Sequence, residues 1–500
     1  MSGQGFEHNV TDIRLKIYYL AEAIQRDADK FPQCVRLAAI PSISVSLPNT
    51  TAYASTLSNY WSLQEASLAP SCIAHPKSTT SLSSLISALA DYHSSCSFAI
   101  KSHGHAPAAG FANIASGLTI DLTSLNTITT NEDASVAHIG TGASWLDAYA
   151  FLDPLNKTVS GGRNGRVGVG GLTLGGGISY FSPQVGFTAD SAVNFEVILG
   201  SGAIVYANAT SHPKLFRALK GGGNNFGIVT RIDFKTLDLP QGEVLGGRLI
   251  HDIKYRDDVF YAFAGIAGAR AYDVHASITT SVIYNAATTA WTLLSAPIYT
   301  KPEPKPSVYA PLVAIPTISN TLGVTQLHVL ANESAIPQTN QLFQTGTYGV
   351  DAKLLARISD LANETLSTFH PSGSMQWILT FEPLPAVFVA RGAGKNVLGT
   401  TPASGNSVIL LLSASWSDNT ASETVYGKAE ELMGKINKAA QQMGLLKEFV
   451  YANYGGRHQR PFESYGKANY QFLKKVAGRY DPKGMFQKQV PGGFKLGLRR

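Results

Sequence analysis

Lys101-Ser102-His103-Gly104-His105 and, further on, Gly161-Gly162-Arg163-Asn164-Gly165-Arg166-Val167-Gly168-Val169-Gly170-Gly171-Leu172-Thr173-Leu174-Gly175-Gly176-Gly177 decide how this chain is read. The first ends in a histidine on a tight glycine turn. The second holds nine glycines in seventeen residues. A glycine inside a packed element costs roughly 0.5–1 kcal/mol relative to alanine, so this density implies that a ligand or another backbone comes close. Bare main-chain N–H groups at glycine reach a pyrophosphate without steric penalty. We read the ligand as a flavin dinucleotide, with His105 placed to bond to it. Glycines that only terminate strands are the plainer alternative, and an isolated pair would merit that reading. The nicotinamide-type spacing G-x-G-x-x-G is absent from the stretch, and no acidic residue closes a clear second strand about twenty residues on.

The 500 residues allow roughly two to four domains and a large core. Hydrophobic residues make up 44%, whereas charged residues reach only 15% against the usual ~25%. A surface of Ser, Thr, Asn and Gly suits an extracytosolic or vesicular protein. The formal charge of +6 is small, and no basic stripe carries interleaved aromatics, which excludes nucleic acid. No apolar run reaches the ~18–20 residues of a membrane span. The N-terminal MSGQGFEHNV lacks a signal-peptide pattern. The location is therefore expected to be extracellular or secretory if an upstream leader is missing, and cytoplasmic otherwise. Sequons at Asn9, Asn49, Asn156, Asn208, Asn332 and Asn363 leave glycosylation open. Three cysteines, Cys34, Cys72 and Cys96, contain no C-x-x-C pair, which excludes a zinc ribbon and predicts one disulfide plus one buried thiol.

Helical spacing of Ile13, Ile17, Leu20, Ala21 and Ile24 predicts a helix over 12–29, stopped by Pro32. The runs Ser71–Ala74 and Ser97–Lys101 predict buried strands around a helix over Thr80–Tyr92, a β-α-β unit that delivers the His105 turn. Leu118–Leu122 follows as a third strand. Asn194–Leu199 and Ile204–Ala207 predict a hairpin, and Lys214–Leu219 a short helix. Beyond Leu239-Pro240 the glycine clusters vanish. Ser277–Tyr284, Trp291–Ser295, Met375–Phe381 and Val408–Trp416 predict an antiparallel sheet. Asp351–Leu366, Ala421–Met443 and Asn469–Tyr480 predict helices, and the proline-rich 301–306 a surface loop.

Taken in order, Tyr60-Trp61-Ser62, Pro70-Ser71-Cys72-Ile73, the His105 turn, the glycine stretch, Gly186–Asp190, Gly221–Val229, Tyr451-Ala452-Asn453-Tyr454 and Tyr480–Phe486 resemble the berberine-bridge-enzyme-like flavoproteins. These lie within the vanillyl-alcohol-oxidase superfamily, and the likeness is strongest to its fungal branch. The resemblance covers residues 50–235 and 450–500 strongly and the middle loosely. It implies an α+β fold: a PCMH-type FAD-binding domain of two subdomains plus a substrate domain with a large antiparallel sheet flanked by helices. The corresponding boundaries are 1–65 for an N-terminal helical segment, 66–238 for the FAD domain, 239–447 for the substrate domain and 448–500 for a returning C-terminal segment. A monomer or homodimer is expected.

The same resemblance implies that Ser102, His103, Gly104 and His105 wrap the pyrophosphate and that His105 joins the flavin 8α-methyl carbon, with His103 the alternative. Such a bond favours the reduced flavin. Gly162, Gly168, Gly170, Gly171, Thr173, Gly176 and Gly177 would line the flavin. Asn225, Gly227, Ile228 and Val229, with Asn224, would close over it. Many relatives add a thioether from a cysteine three residues before the Val167–Gly171 run; Asn164 stands there, so a single covalent link is expected. Plant members place a histidine after Gly170-Gly171, where this chain has Leu172. Cys34–Cys96 is the disulfide that the resemblance implies.

Hydride must leave the substrate while a base takes its proton. The resemblance places Tyr454 near the ring as the first candidate base and also as a cofactor contact, with Tyr451 second. Gln376, Ile378, Thr380 and Glu382 share one face of a strand, so Glu382 is a third candidate, or else a solvated strand end. Asp190 reads as a turn cap and His458 as a surface residue. The expected activity is an FAD-dependent oxidase of secondary metabolism that acts on a small-molecule natural product, with O2 as acceptor. A carbohydrate oxidase, a redox-silent isomerase or cyclase, and a non-catalytic binding protein are the alternatives.

Overall fold

The computed structural model describes residues 37, 40–91, 96–332 and 338–497. The expected helix over 12–29 and Cys34 lie outside them. Four short strands, Ile43–Ser46 (β1), Cys72–Pro76 (β2), Phe98–Lys101 (β3) and Leu118–Asp121 (β4), form a sheet in the order β1-β2-β4-β3. Strand β4 is buried along its whole length, as a strand flanked on both edges and covered on both faces must be. Before β2 comes a single-turn helix, Leu63–Ala66 (α1), which Ser62 caps by accepting from the Glu65 N–H. Helix Thr79–Asp91 (α2) links β2 to β3 as expected. Strand β4 nevertheless slips between those two and pairs in parallel with both.

Five antiparallel strands make the second layer: Ile128–Thr130 (β5), Val136–Gly140 (β6), Ala192–Ile198 (β7), Ile204–Asn208 (β8) and Ile228–Lys235 (β9), ordered β5-β6-β9-β7-β8. The predicted hairpin is β7–β8. Helix Trp145–Leu152 (α3) opens on a capping box between Ser144 and Asp147 and buries Trp145 and Tyr149 under the start of the glycine stretch. A Cβ on Gly161 would sit 2.2 Å from the Trp145 ring. Part of the glycine content therefore serves packing, and the rest forms helix Val169–Leu174 (α4) and its flanks.

Among the described residues, the chain beyond Glu243 builds a ten-stranded antiparallel sheet. Its middle runs Ala290–Tyr299 (β11), Ala276–Asn285 (β10), Met375–Leu384 (β13), Ser407–Trp416 (β14) and Asn340–Gly349 (β12). Helices Arg256–Ala267 (α5), Ala352–Leu366 (α6) and Ser422–Gln442 (α7) cover one face, where Phe260, Ile358 and Leu432 pack with Trp377, Leu379 and Phe381. Alternation sends Ile378, Thr380 and Glu382 to the other face. Helix Lys467–Tyr480 (α8) returns to the second sheet through Leu473 and Val476, and Met485–Lys488 (α9) returns to the first through Met485 and Phe486. Asp481 does more than stop α8, because its carboxylate accepts from the Met485 and Phe486 N–H groups at 2.8 Å each.

The expected Cys34–Cys96 bridge is not formed. Cys96 is a free, buried thiol. It enters β3 among apolar neighbours, burial raises its pKa, and its Sγ lies 3.9 Å from the Ser97 carbonyl.

Candidate active site

The end of β3 is held by a buried ion pair, Lys101 Nζ to Asp121 Oδ2 at 3.1 Å, which joins it to β4. From there the Ser102–His105 turn is pinned residue by residue. Ser102 Oγ donates to the Thr141 carbonyl at 2.6 Å, and His103 Nε2 donates to the Gly142 carbonyl at 2.9 Å. Gly104 has φ +67° and lies on Tyr60, whose ring would stand 2.5 Å from an added Cβ. His105 stacks on Trp61. Burial lowers its pKa to about 4, so its imidazole is neutral at physiological pH. His103 commits a ring nitrogen to the backbone, whereas His105 faces the cavity on a stacking partner.

The turn opens into a cleft of about 1220 Å³ that reaches from the glycine stretch to the uncovered sheet face. That exceeds the ~300–1,000 Å³ of ordinary ligand pockets, as a site for both cofactor and substrate must. One wall holds Gly168, Gly170, Gly171 and Gly175, with Gly227, Ile228 and Val229 at the start of β9. A Cβ on Gly171 would meet nothing within 4 Å, so there the wall is bare backbone facing open space, whereas Gly168, Gly170 and Gly175 are packed against Ser102, Thr141 and Asn453. This fits a flat, phosphate-bearing dinucleotide. Gly162, Thr173, Gly176, Gly177 and Asn225 do not line the cleft. Gly162 lies on Trp145 and Gly177 on Thr188 and Leu172, while Thr173 Oγ1 donates to the Val169 carbonyl. Asn225 brackets the tail, donating to the Gly222 and Phe494 carbonyls and accepting from Gln487, while its neighbour Asn224 lines the cleft.

Opposite the glycine wall, Ile378, Thr380 and Glu382 of β13 face the cleft; Gln376 lies beyond its lining. Glu382 is no solvated strand end. It is 3% exposed, and its Oε1 accepts from Arg163 Nη2 at 2.7 Å and from Tyr454 Oη at 2.9 Å. Its Oε2 is buried without a protein partner. Burial drives the Tyr454 pKa well above its ordinary value, Glu382 adds to this, and Arg163 opposes it. Burial likewise raises Tyr451. Tyr451 lies edge-on to Tyr454 and is tied through Asn453, whose Nδ2 donates to Tyr451 Oη and to the Leu172 carbonyl. Asn453 therefore stitches the Tyr451–Tyr454 element to the glycine stretch.

Four important residues were not assigned from sequence: Trp61, Glu65, Arg163 and Asn453. Arg163 carried a signal as a cation within the glycine run, and Trp61 and Asn453 as members of the motifs that carry the resemblance. Glu65 is fully buried, and its carboxylate accepts from the Gly110 and Ala112 N–H groups at 3.1 and 2.6 Å. It thereby anchors the loop whose Phe111 and Ala112 line the cleft. Asp190 caps its turn, accepting from the Phe187 N–H at 2.9 Å. His458 is exposed and pairs with Glu430. Among the described residues no metal-holding cluster of His, Cys, Asp or Glu occurs, and no helix is long and apolar enough to cross a membrane.

The FAD binding domain family matches residues 70–208. The FAD-dependent monooxygenase sdcF of Emericella nidulans is 32% identical over 470 residues, which cover 93% of this chain and 98% of that protein. The solved structure of xylooligosaccharide oxidase from Myceliophthora thermophila C1 superposes with a TM-score of 0.75 at 19% identity, over 93% of this chain and 99% of its own. BBE-like 1 from Physcomitrella patens gives 0.74 at 18% identity, over 94% and 100%. The matched FAD binding domain and the relatives that span the whole chain define an FAD-binding oxidoreductase. The chain belongs to the fungal FAD-linked oxidoreductases that include sdcF, and it shares its fold with the berberine-bridge-enzyme-like structures.

Proposed function

We propose that this chain is an oxidase that takes a proton and a hydride from a small, largely apolar natural product and passes the electrons to O2. His105 would hold FAD through the 8α-methyl carbon as its single covalent link, since Asn164 provides no thiolate. One observation carries the reading: Tyr454 and Glu382 meet, hydrogen-bonded, in the cleft that the bare glycine wall also lines.

When bound, the flavin supplies the hydride acceptor. The residues supply the rest. Tyr454 offers its oxygen to the substrate hydroxyl, and Glu382 stands behind it to receive the phenolic proton, an arrangement worth roughly 10²–10⁴ in rate. Around this pair the cleft carries Leu294, Ile298, Ile378, Leu411 and the short hydroxyls of Thr279 and Ser413, with Arg163, Arg248 and Glu382 as its charged side chains. A wall of aliphatic groups and isolated hydroxyls suits an aromatic or polyketide-like alcohol better than a sugar, which asks for a hydrogen bond at nearly every carbon.

The test is a visible spectrum of acid-precipitated protein with peptide mapping, then anaerobic mixing with a panel of alcohols, amines and sugars. Flavin on the His105 peptide, and bleaching by an apolar alcohol, are expected. A colourless protein that refuses FAD would overturn the proposal. The relative's designation as a monooxygenase motivates a second reading, in which one atom of O2 enters product. Labelled O2 separates the two, because an oxidase returns the label as H2O2.

A further inference from the structure

Arg163 leaves the glycine stretch and sends its guanidinium across the cleft. Its Nη2 donates to Glu382 Oε1 at 2.7 Å and to Tyr454 Oη at 2.5 Å, while Tyr454 Oη donates to the same Glu382 oxygen at 2.9 Å. A guanidinium can only donate, so within this triangle the tyrosine proton points to Glu382. One nitrogen touches both oxygens between which that proton would move. Arg163 is 17% exposed and Glu382 3%, so water screens the triangle little.

We propose that Arg163 is a positioning residue that makes Tyr454 and Glu382 a proton relay, holding the negative charge as it passes from one oxygen to the other. The inference rests on the assignment of Tyr454 as base. In the step, the substrate hydroxyl proton moves to Tyr454 Oη as the tyrosine's own proton moves to Glu382 Oε1. Glu382 ends neutral and Tyr454 is restored, while the flavin that the glycine wall would hold supplies the two-electron acceptor for the substrate C–H hydride, leaving the carbonyl product.

The cation decides whether this relay runs. Charge gathering on Tyr454 Oη lies next to the Glu382 carboxylate, and a like charge disfavours it. With Arg163 Nη2 against both atoms, whichever oxygen bears the charge keeps a charge-assisted bond, roughly twice as strong as a neutral one. Lysine in its place would be a point charge without the planar fork. The other titratable groups facing the triangle are Tyr451, edge-on to Tyr454 at 4.9 Å, and Tyr180, whose hydroxyl donates to the Arg163 carbonyl at 3.4 Å. Both are phenols, so among the described residues the formal charges at this triangle belong to Arg163 and Glu382.

The experiment is stopped-flow flavin reduction by whichever panel alcohol bleaches the wild-type holoenzyme fastest, across pH 6 to 10, with solvent isotope effects. Arg163→Met should slow reduction by ~100-fold or more, leave the half-saturating concentration within about threefold and move the rising pH limb up by about one unit or more. It should also change the solvent isotope effect. Arg163→Lys should recover part of the rate. Where Arg163→Met holds flavin poorly, Arg163→Lys and the charge-neutral pair Arg163→Met/Glu382→Gln carry the comparison. Wild-type reduction rates and an unmoved limb in these variants, with Tyr454→Phe impaired, would overturn the proposal for Arg163. An unimpaired Tyr454→Phe would instead overturn the base assignment beneath it.

Discussion

The indole of Trp61 and the imidazole of His105 lie face to face, with ring centroids 4.6 Å apart and planes 10° apart. Phe343 follows at 5.3 Å from Trp61, and Tyr454 at 5.9 Å from Phe343. An aromatic chain thus runs from the turn to the proposed base, each contact worth about 0.5–1.5 kcal/mol beyond its buried area.

Removing either end of the first stack should separate attachment from binding. His105→Ala is expected to fold and take up FAD but release all of it on acid precipitation. Trp61→Ala frees the His105 rotamer and should leave a mixture of linked and released flavin. In wild type, attachment should be insensitive to pH above about 5, because the imidazole, whose pKa lies at about 4, stays neutral there. The ratio of pellet to supernatant absorbance measures all three.

Gly171 and Gly168 should respond oppositely to alanine. At Gly171 the added methyl meets open cleft, so the fold is kept or gains up to about 1 kcal/mol of helix propensity, while flavin content falls. At Gly168 the Cβ would stand 2.2 Å from Ser102 Oγ, so the turn itself is displaced and the apoprotein melts lower. Apoprotein melting beside flavin stoichiometry distinguishes the two.

Glu65 predicts a slope in stability against pH. Burial raises its pKa from 4.5 to about 7, although the Gly110 and Ala112 N–H groups oppose this. Between these values the folded chain binds more protons than the unfolded one. The contribution is therefore full below about pH 4.5 and lost as pH rises through 7. At about 1.36 kcal/mol per unit, the span is on the order of 3 kcal/mol. Glu65→Gln should flatten that part of the melting-temperature profile, and parallel profiles would count against the assignment.

Cys96 should behave as a protected thiol. Alkylation under native conditions is expected to be slow, because the group is buried and its pKa raised. In denaturant without reductant the Cys96 peptide should label fully. An unlabelled peptide would restore a bridge at this position.

Much of the layout was legible from sequence because its signals are local. Apolar runs at Cys72 and Phe98 mark the strands that lead to the His105 turn, and period-two alternation in β13 put Glu382 on the cleft face. What escaped depends on contacts between distant segments. The polar strand Asn340–Gly349 is not assigned from sequence, since its pairing is with Ser407–Trp416, some sixty residues away. Nothing in residues 61–65 shows that an indole and a carboxylate will meet a turn forty residues later. The glycine stretch carried two messages at once, packing around Trp145 and exposure at Gly171, and only the structure divides them. The cysteine pairing failed for a related reason: it was carried over from a resemblance, and nothing local to Cys96 could have corrected it.

The sheet separates two duties along each strand. Trp377, Leu379 and Phe381 maintain the core under the helices, while Thr279, Leu411 and Ser413 look into the cleft and share none of that packing. Substitutions among the latter should shift melting by roughly 0.5 kcal/mol or less. Acceptance of new molecules can thus drift, in nature or in a laboratory library, while Glu382 at the strand end and the glycine wall opposite are inherited intact.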